Sequence, residues 1–353
     1  MSEQDFINEI MDFNPSDLSV FQEKPAANYD SKIYKTSPKD SVSEDGHYRS
    51  KVRIVYNPFN VQEGSIIQSV KYALNDADGF FMADSLLAKG DRNCPIFKAW
   101  KKLWFSGDEA KKAWARQMFD KTESKWVTVQ VIEDVNRPEL VGQFLAWKLP
   151  KAVSEKMDAK MKPSPESKKA PVKLMDFILG PALDIDVTPG PDDPTQPHRK
   201  QREISYSLCE FDTEACPIIK VDGTPLFVDS EIETIDAFVS ANAALAKGKT
   251  QAQKDKALAE IETLKPAIRE LYKKSLEYMK ENSIDLEKEC GYQPWNEALT
   301  TRVENWINTV LEMRDPKTTF VNEVVTPTPT VQQPEVVIEQ DPVDKMVDDD
   351  LPF

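Results

Sequence analysis

Aromatic and basic side chains are interleaved over one stretch of this 353-residue sequence. Five of its seven tryptophans fall between residues 100 and 147, among lysines and arginines: Trp100, Trp104, Trp114, Trp126 and Trp147. Every nucleobase has a flat face that can stack on an aromatic ring, and cations neutralise the phosphates between the bases. This combination predicts a groove for an unpaired nucleic-acid strand.

Charge is divided unevenly along the chain. The formal net charge is −15. Counting Lys and Arg against Asp and Glu gives −6 for residues 1–46, +7 for 47–180, −9 for 181–320 and −7 for 321–353. A basic block between acidic segments is typical of a polyanion-binding surface whose acidic arms keep it soluble and can compete for it. Ordinary variation in surface charge is the alternative explanation.

The predicted strand 126–132 (WVTVQVI) separates its side chains by face. Val127, Val129 and Val131 fill one face, so Trp126 shares the opposite, polar face. A tryptophan on a polar face either stacks on bases or packs beneath a neighbouring loop. The sequence leaves both interpretations open.

Periodicity assigns the other aromatic and basic residues in the same way. Trp100 and Trp104 share an apolar helical face with Phe97, and Trp147 alternates with leucines, so we expect these residues in the core. For the basic helical runs, a solvated helix face is the alternative to a binding surface. The residues expected to contact nucleic acid lie on polar strand faces or in those runs: Lys51, Arg53, Lys98, Lys101, Lys102, Lys111, Lys112, Arg116, Lys125, Trp126, Phe144 and Lys148.

The sequence contains few of the residues and motifs that catalytic sites use. The chain has two histidines and eleven glycines, and it contains no glycine-rich phosphate loop. Asp184 and Asp186 stand at strand spacing, but they lack the further acids and lysine motif that a metal-dependent nuclease needs. We therefore expect a protein that is not an enzyme and holds no cofactor.

The sequence also predicts the compartment. Four cysteines are scattered over about 200 residues, which favours a reducing environment over a disulfide framework. No apolar run approaches the roughly 20 residues of a membrane-spanning helix, and the acidic N-terminus does not resemble a signal peptide. We expect a cytoplasmic protein with no membrane partner.

Short strands interrupted by turns dominate the first two thirds of the chain. The predicted strands are 51–56, 66–73, 126–132, 141–149, 172–188 and 203–211, with 126–132 and 141–149 forming a hairpin. Helical spacing appears over 95–119 and 230–314. This order favours an α+β fold with a small β-barrel and a helical insertion.

The predicted domain order has four parts. An acidic, mostly disordered arm at 1–46 precedes a strand-binding core at 47–229. A helical region at 230–314 follows, and a proline-spaced, disordered tether at 315–353 ends in an acidic tip.

The last eight residues, MVDDDLPF, combine an acidic run with an apolar anchor. Such a hook can place an aromatic ring in a pocket and hold its carboxylates over a basic rim. Solubility alone is the alternative. The residues expected to bind a partner are Asp348, Asp349, Asp350, Leu351, Pro352 and Phe353.

Two resemblances follow from these residues. The tip resembles the C-terminus of bacterial single-stranded-DNA-binding proteins. Residues 47–230 resemble the replicative single-stranded-DNA-binding protein of T-even type tailed phages through KVRIVYNPF, NCPIFKAWKK, KTESKWVTVQVIEDVNRPELVGQFLAWKL, EKMDAKM and VKLMDFILGPALDIDV. The resemblance implies an OB-fold-like β-barrel that coats single-stranded DNA during replication, recombination and repair in the cytoplasm of a host cell. It also implies that the tip recruits a polymerase, primase, helicase or nuclease.

The sequence departs from the phage family at its zinc site and its N-terminal arm. The family holds zinc with one His and three Cys, including a Cys-Pro-x-Cys element, whereas this chain reads Cys94-Pro95-Ile96-Phe97. We predict no zinc, with packing around Phe97 and Trp100 in its place. The family arm is basic and supports cooperative binding, but residues 1–46 are acidic here.

The resulting prediction is a non-enzymatic single-stranded-DNA-binding protein. An RNA-binding protein or translational regulator with the same fold is one alternative. A recombination mediator or scaffold that docks partners through residues 230–314 is another.

Overall fold

The computed structural model describes residues 32–59, 65–167, 170–189 and 204–318. Their contacts divide into two compact units. Unit 1 takes its described residues from Met1–Val70, Asp84–Arg92 and Glu123–Pro294. Unit 2 takes them from Lys71–Ala83, Asn93–Thr122 and Trp295–Phe353.

The described chain is mixed α+β, which confirms the predicted class. The strands are β1 (Ile33–Tyr34), β2 (Tyr48–Val55), β3 (Ile66–Asp76), β4 (Gly79–Asp84), β5 (Asp120–Asp134), β6 (Phe144–Leu149), β7 (Pro181–Pro189), β8 (Ile204–Ser205) and β9 (Glu210–Ala215). The α-helices are α1 (Pro95–Trp104), α2 (Glu109–Met118), α3 (Lys151–Met161), α4 (Asp229–Lys247), α5 (Gln251–Asn282), α6 (Leu286–Cys290) and α7 (Glu297–Leu311). In the part of the chain that the structure describes, no helix is long and apolar enough to cross a membrane.

The strands form one nine-stranded sheet with the path β1-β6-β5-β2-β7-β8. β3 pairs with β4 and β5, and β9 pairs with β7. β5 and β6 form the predicted antiparallel hairpin, from Lys125 opposite Leu149 to Gln130 opposite Phe144. The path has two free ends, so the described strands form an open sheet and not a closed barrel.

Both faces of β5 are buried where it crosses unit 1. Val127, Val129 and Val131 lie in the core as predicted. Thr128 and Gln130, on the opposite face, are also fully buried. The Gln130 amide donates to the carbonyls of Gly142 (2.9 Å) and Ile219 (2.6 Å), and it accepts from the Ile219 N–H (2.9 Å). A distant loop therefore covers the polar face of β5 around Gln130.

The helices that follow residue 228 are divided between the units. α4, α5 and α6 belong to unit 1, and α7 belongs to unit 2. The Tyr272 hydroxyl on α5 bonds the Asp176 carboxylate at 2.6 and 2.7 Å, and the Tyr278 ring lies 6.4 Å from the Phe144 ring. α5 thus packs on the strand and loop core of unit 1, and the predicted boundary near residue 230 falls inside that unit.

Candidate nucleic-acid interface

Unit 1 contains a groove of about 830 Å³ beside the β5–β6 hairpin. The end of β6, the start of α3 and the segment 33–36 form its walls. Four lysines line it, Lys35, Lys125, Lys148 and Lys151, opposed by three carboxylates from Glu123, Glu155 and Asp158. Lys35, Lys148 and Lys151 are exposed, and Lys125 donates to the Ser154 hydroxyl at 3.2 Å. The structure thus brings the predicted Lys125, Trp126 and Lys148 together.

Two indoles contribute to the lining of this groove. Trp126 is 8% exposed, and its N–H donates to the Ser69 hydroxyl at 3.1 Å. Trp147 is buried as predicted, and its N–H donates to Thr36 Oγ1 at 3.4 Å. Both side chains are therefore packed, although they contribute to the lining of the groove. The expectation of Trp126 as an open stacking platform is therefore wrong, and the packed alternative describes it better.

Arg53 cannot contact phosphate, so that prediction is wrong. Its side chain is fully buried, and the guanidinium donates to the carbonyls of Pro181 (2.7 Å), Leu174 (3.1 Å), Asp176 and Cys216. Burial lowers the pKa of Arg53 to about 10, so the group remains charged at neutral pH. This buried cation organises the loops that wrap β2.

Lys51 and Phe144 are also engaged inside unit 1. The Lys51 ammonium lies 3.2 Å from carboxylate oxygens of both Asp184 and Asp212. Partial burial opposes its ionisation, but these hydrogen bonds outweigh burial and raise the pKa of Lys51. Phe144 is 3% exposed and packs against Tyr278. Neither residue offers the groove contact predicted from its strand face.

The remaining predicted cations lie in unit 2 on α1 and α2. Lys98, Lys102 and Arg116 are exposed, whereas Lys101, Lys111 and Lys112 are half-buried. The Arg116 guanidinium lies over the Trp104 ring at 4.8 Å, and Lys112 pairs with Glu109 at 2.7 Å. These six residues form a second basic surface, which we describe separately from the groove of unit 1.

Stacked aromatic rings support the basic surface of unit 2. Phe97 stacks on Trp100 at 5.5 Å, and Trp100 stacks on Trp104 at 5.4 Å. Trp100 is fully buried and Phe97 is 9% exposed, which confirms the core prediction for both. Trp104 is half-buried at the end of the stack. Trp114 donates from its indole to the Val310 carbonyl at 3.0 Å.

Sequence patterns did not identify Phe80, on β4 in unit 2, as a candidate binding residue. Phe80 is 63% exposed and Met82 is 38% exposed, whereas Phe81 and Ala83 on the other face are buried. The alternation in GFFMAD could have identified this open aromatic ring. Lys35 was missed for another reason, because it falls in an arm predicted to be disordered.

A buried network holds the segment that carries Lys35. The hydroxyls of Tyr34 and Tyr48 donate to Asp134 Oδ2 at 2.8 and 2.6 Å. The Arg137 guanidinium donates to the Tyr48 hydroxyl at 2.6 Å and to the Lys35 carbonyl. β1 also pairs with β6, Tyr34 opposite Trp147. These contacts fix residues 33–36 as a wall of the groove.

We expect this network to make stability fall at alkaline pH. Burial, reinforced by the hydrogen bond to Asp134, raises the pKa of Tyr48 to about 12 from its ordinary 10. The folded state therefore holds the Tyr48 proton more tightly than the unfolded state does. The stabilisation of the folded state by this proton is complete below pH 10 and is lost as the pH rises to 12. The urea concentration at the unfolding midpoint should fall as the pH rises from 10 to 12. In Tyr48→Phe this midpoint should fall less steeply. An identical slope in the variant would contradict this assignment.

The carboxylates of Asp184 and Asp186 are held in ion pairs. Asp184 pairs with Lys51, and Asp186 accepts from Arg49 and lies 2.8 Å from His47 Nδ1. Among the residues with described positions, no group of three His, Cys, Asp or Glu could hold a metal ion.

Several predicted features lie outside the described residues. These are residues 1–31 of the arm, residues 319–353 of the tether, and within it the tip residues Asp348, Asp349, Asp350, Leu351, Pro352 and Phe353. Comparison of the sequence with models of known protein families and with curated proteins finds no match.

Proposed function

We propose that this protein binds single-stranded DNA and coats it during replication, recombination and repair, without enzymatic activity. The observation that carries the proposal is the lysine-lined groove of unit 1, with Lys125, Trp126 and Lys148 at the β5–β6 hairpin. A groove of about 830 Å³ has room for bases, which a flat helix surface lacks.

The four groove lysines are the proposed phosphate contacts. Lys148 and Lys151 are exposed where β6 passes into α3, and Lys35 is exposed on the segment that follows β1, which pairs with β6. Contacts of this kind neutralise the backbone without reading sequence, so affinity falls with salt. The three groove carboxylates limit the net attraction, which favours a strand held by several modest contacts.

Unit 2 supplies further contacts in this proposal. Phe80 presents an open ring, and stacking one base on such a ring contributes about 1–3 kcal/mol. Lys98, Lys102 and Arg116 provide exposed positive charge on α1 and α2. Aromatic and basic contacts of this type are sequence-tolerant, as a coating protein requires.

The proposal extends to the fold family and to partners. We propose that the open sheet is a decorated, incompletely closed version of the OB-fold-like barrel of the T-even phage type. The antiparallel β5–β6 hairpin and α3 follow in the order that the resemblance implies. We also propose that the acidic tip recruits replication enzymes in the cytoplasm of a host cell.

Replacing Lys125 and Lys148 together with alanine tests the function. We expect affinity for oligo(dT) to fall about tenfold, and the slope of log K against log salt to become shallower by about 1.4, at about 0.7 per lost phosphate contact. Lys256→Ala is the control, because Lys256 is exposed on α5 away from the groove. Fluorescence anisotropy of a labelled oligonucleotide measures both quantities.

The competing functions give different outcomes in that titration. Equal binding of oligo(U) and oligo(dT) would favour the RNA-binding alternative. Absence of oligonucleotide binding by the unaltered chain would refute the proposal and favour a scaffold. If Lys256→Ala lost as much affinity for oligo(dT) as the double variant, the DNA-binding site would not lie in the groove.

A further inference from the structure

Residues 79–83 of β4, in unit 2, form an unprotected edge of the sheet. Among the described strands, β4 pairs only with β3, so no strand lies along its second edge. Natural edge strands commonly carry a lysine, a proline or a bulge that prevents pairing with another chain. The segment 79–83 reads Gly-Phe-Phe-Met-Ala and contains neither a charged residue nor a proline. Its composition therefore does not keep another strand away.

The register of the β3–β4 hairpin determines which backbone groups of β4 point outward. β3 ends at Asp76 and β4 begins at Gly79, so two residues form the turn and these residues oppose each other. The Ser85 N–H donates to the Val70 carbonyl at 2.8 Å, which fits the same register. Hydrogen-bonded pairs alternate along an antiparallel ladder, so the odd-numbered residues of β4 bond β3.

Phe80 and Met82 therefore direct their backbone N–H and C=O groups toward the edge that no described strand pairs. Their side chains share the exposed face of the hairpin. Phe81 and Ala83 lie on the opposite face and are buried, and the Arg302 guanidinium of α7 lies 4.1 Å from the Phe81 ring centroid. The hairpin thus has one covered face, one exposed apolar face and an edge with outward hydrogen-bonding groups.

We propose that β4 pairs antiparallel with β4 of a second copy of this chain, about a twofold axis at Phe81. Phe80 of one copy then lies opposite Met82 of the other, and the two residues exchange both backbone hydrogen bonds. The twofold axis repeats this contact, so it forms twice. Opposed residues of such a pair have Cα atoms about 5.5 Å apart, which brings the Met82 sulfur within reach of the Phe80 ring.

The outward residues of β4 favour a second copy because they complement themselves. In the register centred on Phe81, each exposed aromatic ring meets an exposed thioether, and the backbone donors and acceptors of both residues are satisfied. A register shifted by two residues would instead oppose Phe80 to Asp84, against a carboxylate. The apolar register is therefore the one that the sequence of this edge supports.

The length of the paired segment sets the strength of the contact. Pairing along 79–83 joins about five residues of each copy, whereas a standard interface uses about 20–30 residues a side. We therefore expect a weak, reversible dimer that forms as the protein concentration rises. Pairing requires no DNA, so it goes beyond the proposed function.

Hydrogen exchange of the full chain without DNA tests the pairing, with the protein concentration raised from low micromolar to near millimolar. We expect the backbone amides of Phe80 and Met82 to exchange about tenfold more slowly at the highest concentration. The Phe81 amide already bonds β3, so its exchange should not change. Sedimentation velocity over the same concentrations should show conversion of the single chain to a dimer.

Met82→Pro removes an outward N–H and leaves the neighbouring hydrogen bonds to β3 in place. We expect it to raise the dissociation constant of the dimer about tenfold or more, because each copy loses one edge donor. Phe80→Asp is the second variant, since it changes an exposed side chain and places a carboxylate at the paired edge. It should weaken the dimer likewise where Met82→Pro fails to fold.

Leu258→Asp is the matched control, because Leu258 is 44% exposed on α5 in unit 1 and lies outside β4. The control should dimerise like the unaltered chain. The proposal is overturned if the chain stays single at the highest concentration, or if neither β4 variant weakens the dimer. Protection of Phe80 and Met82 at every concentration would also overturn it, because a segment of the same chain would then occupy the edge. A chain that dimerises through β4 but binds no oligo(dT) would instead refute the proposed function alone.

Discussion

Replacing Arg53 with leucine is expected to lower the free energy of unfolding by about 3–5 kcal/mol, because the change removes a buried charged donor from its acceptors. The carbonyls of Leu174, Asp176, Pro181 and Cys216 would lose their partner inside the protein. Typical domains are stable by about 5–15 kcal/mol, so this loss would leave little reserve. Urea unfolding followed by tryptophan fluorescence measures it.

The loop at Gly180 packs closely against the Arg53 guanidinium. A Cβ on Gly180 would lie 2.6 Å from the Arg53 guanidinium and 2.7 Å from the Leu174 carbonyl. The loop therefore approaches the guanidinium so closely that only glycine fits. Lysine at position 53 would provide one ammonium where the guanidinium reaches four loop carbonyls, so Arg53→Lys should recover only part of the stability.

Arg49 provides the matched control on the same strand. It is exposed and pairs with Asp45 at 2.6 Å and Asp186 at 3.3 Å. Solvent screens exposed pairs of this kind, so Arg49→Leu should barely move the urea midpoint. Equal effects of Arg49→Leu and Arg53→Leu would show that the buried carbonyl contacts do not govern stability.

Arg53 also shows how far sequence reasoning reaches at this site. Alternation in KVRIVY correctly predicts a strand, and it correctly separates Val52 and Ile54 from Arg53. It does not reveal what covers the second face. That cover comes from loops more than 100 residues away, at Asp176 and Cys216, which no local pattern links to β2.

The same limit explains the outcome at β5 and β6. The hairpin follows from apolar patterning and the turn between the strands, and the structure confirms it. Phe144 was expected to contact the groove, but Tyr278 packs against it, and Ile219 bonds Gln130 on the neighbouring strand. Lys125 and Lys148 stay at the groove because they lie near the end of the hairpin, beyond that cover.

Local patterns were more reliable for the helices of unit 2. The stack of Phe97, Trp100 and Trp104 follows from helical spacing alone. The break between α1 and α2 falls at Ser106-Gly107, where Gly107 adopts a positive φ of 75°. By contrast, β1 has only two residues and pairs with β6 more than 100 residues away, so nothing local could predict this wall of the groove.

Replacing Asp134 with alanine is expected to cost about 3–5 kcal/mol of unfolding free energy, because it removes the shared acceptor of a buried network. Two tyrosine hydroxyls and the backbone N–H groups of Asn136 and Arg137 donate to this carboxylate. The loss should also free β1, so that oligo(dT) affinity falls even at temperatures where the variant remains folded.

Tyr34→Phe separates these two effects. It removes one hydrogen bond to Asp134 but keeps the ring beneath the Arg137 guanidinium, 5.0 Å away. We expect a cost of about 1 kcal/mol and nearly unchanged oligo(dT) affinity, since the wall stays in place. If Asp134→Ala weakened unfolding stability as expected but bound oligo(dT) like the unaltered chain, the segment 33–36 would not be a wall of the binding groove. The other groove lysines and unit 2 would then have to hold the strand, and Lys125→Ala with Lys148→Ala should weaken binding more than tenfold.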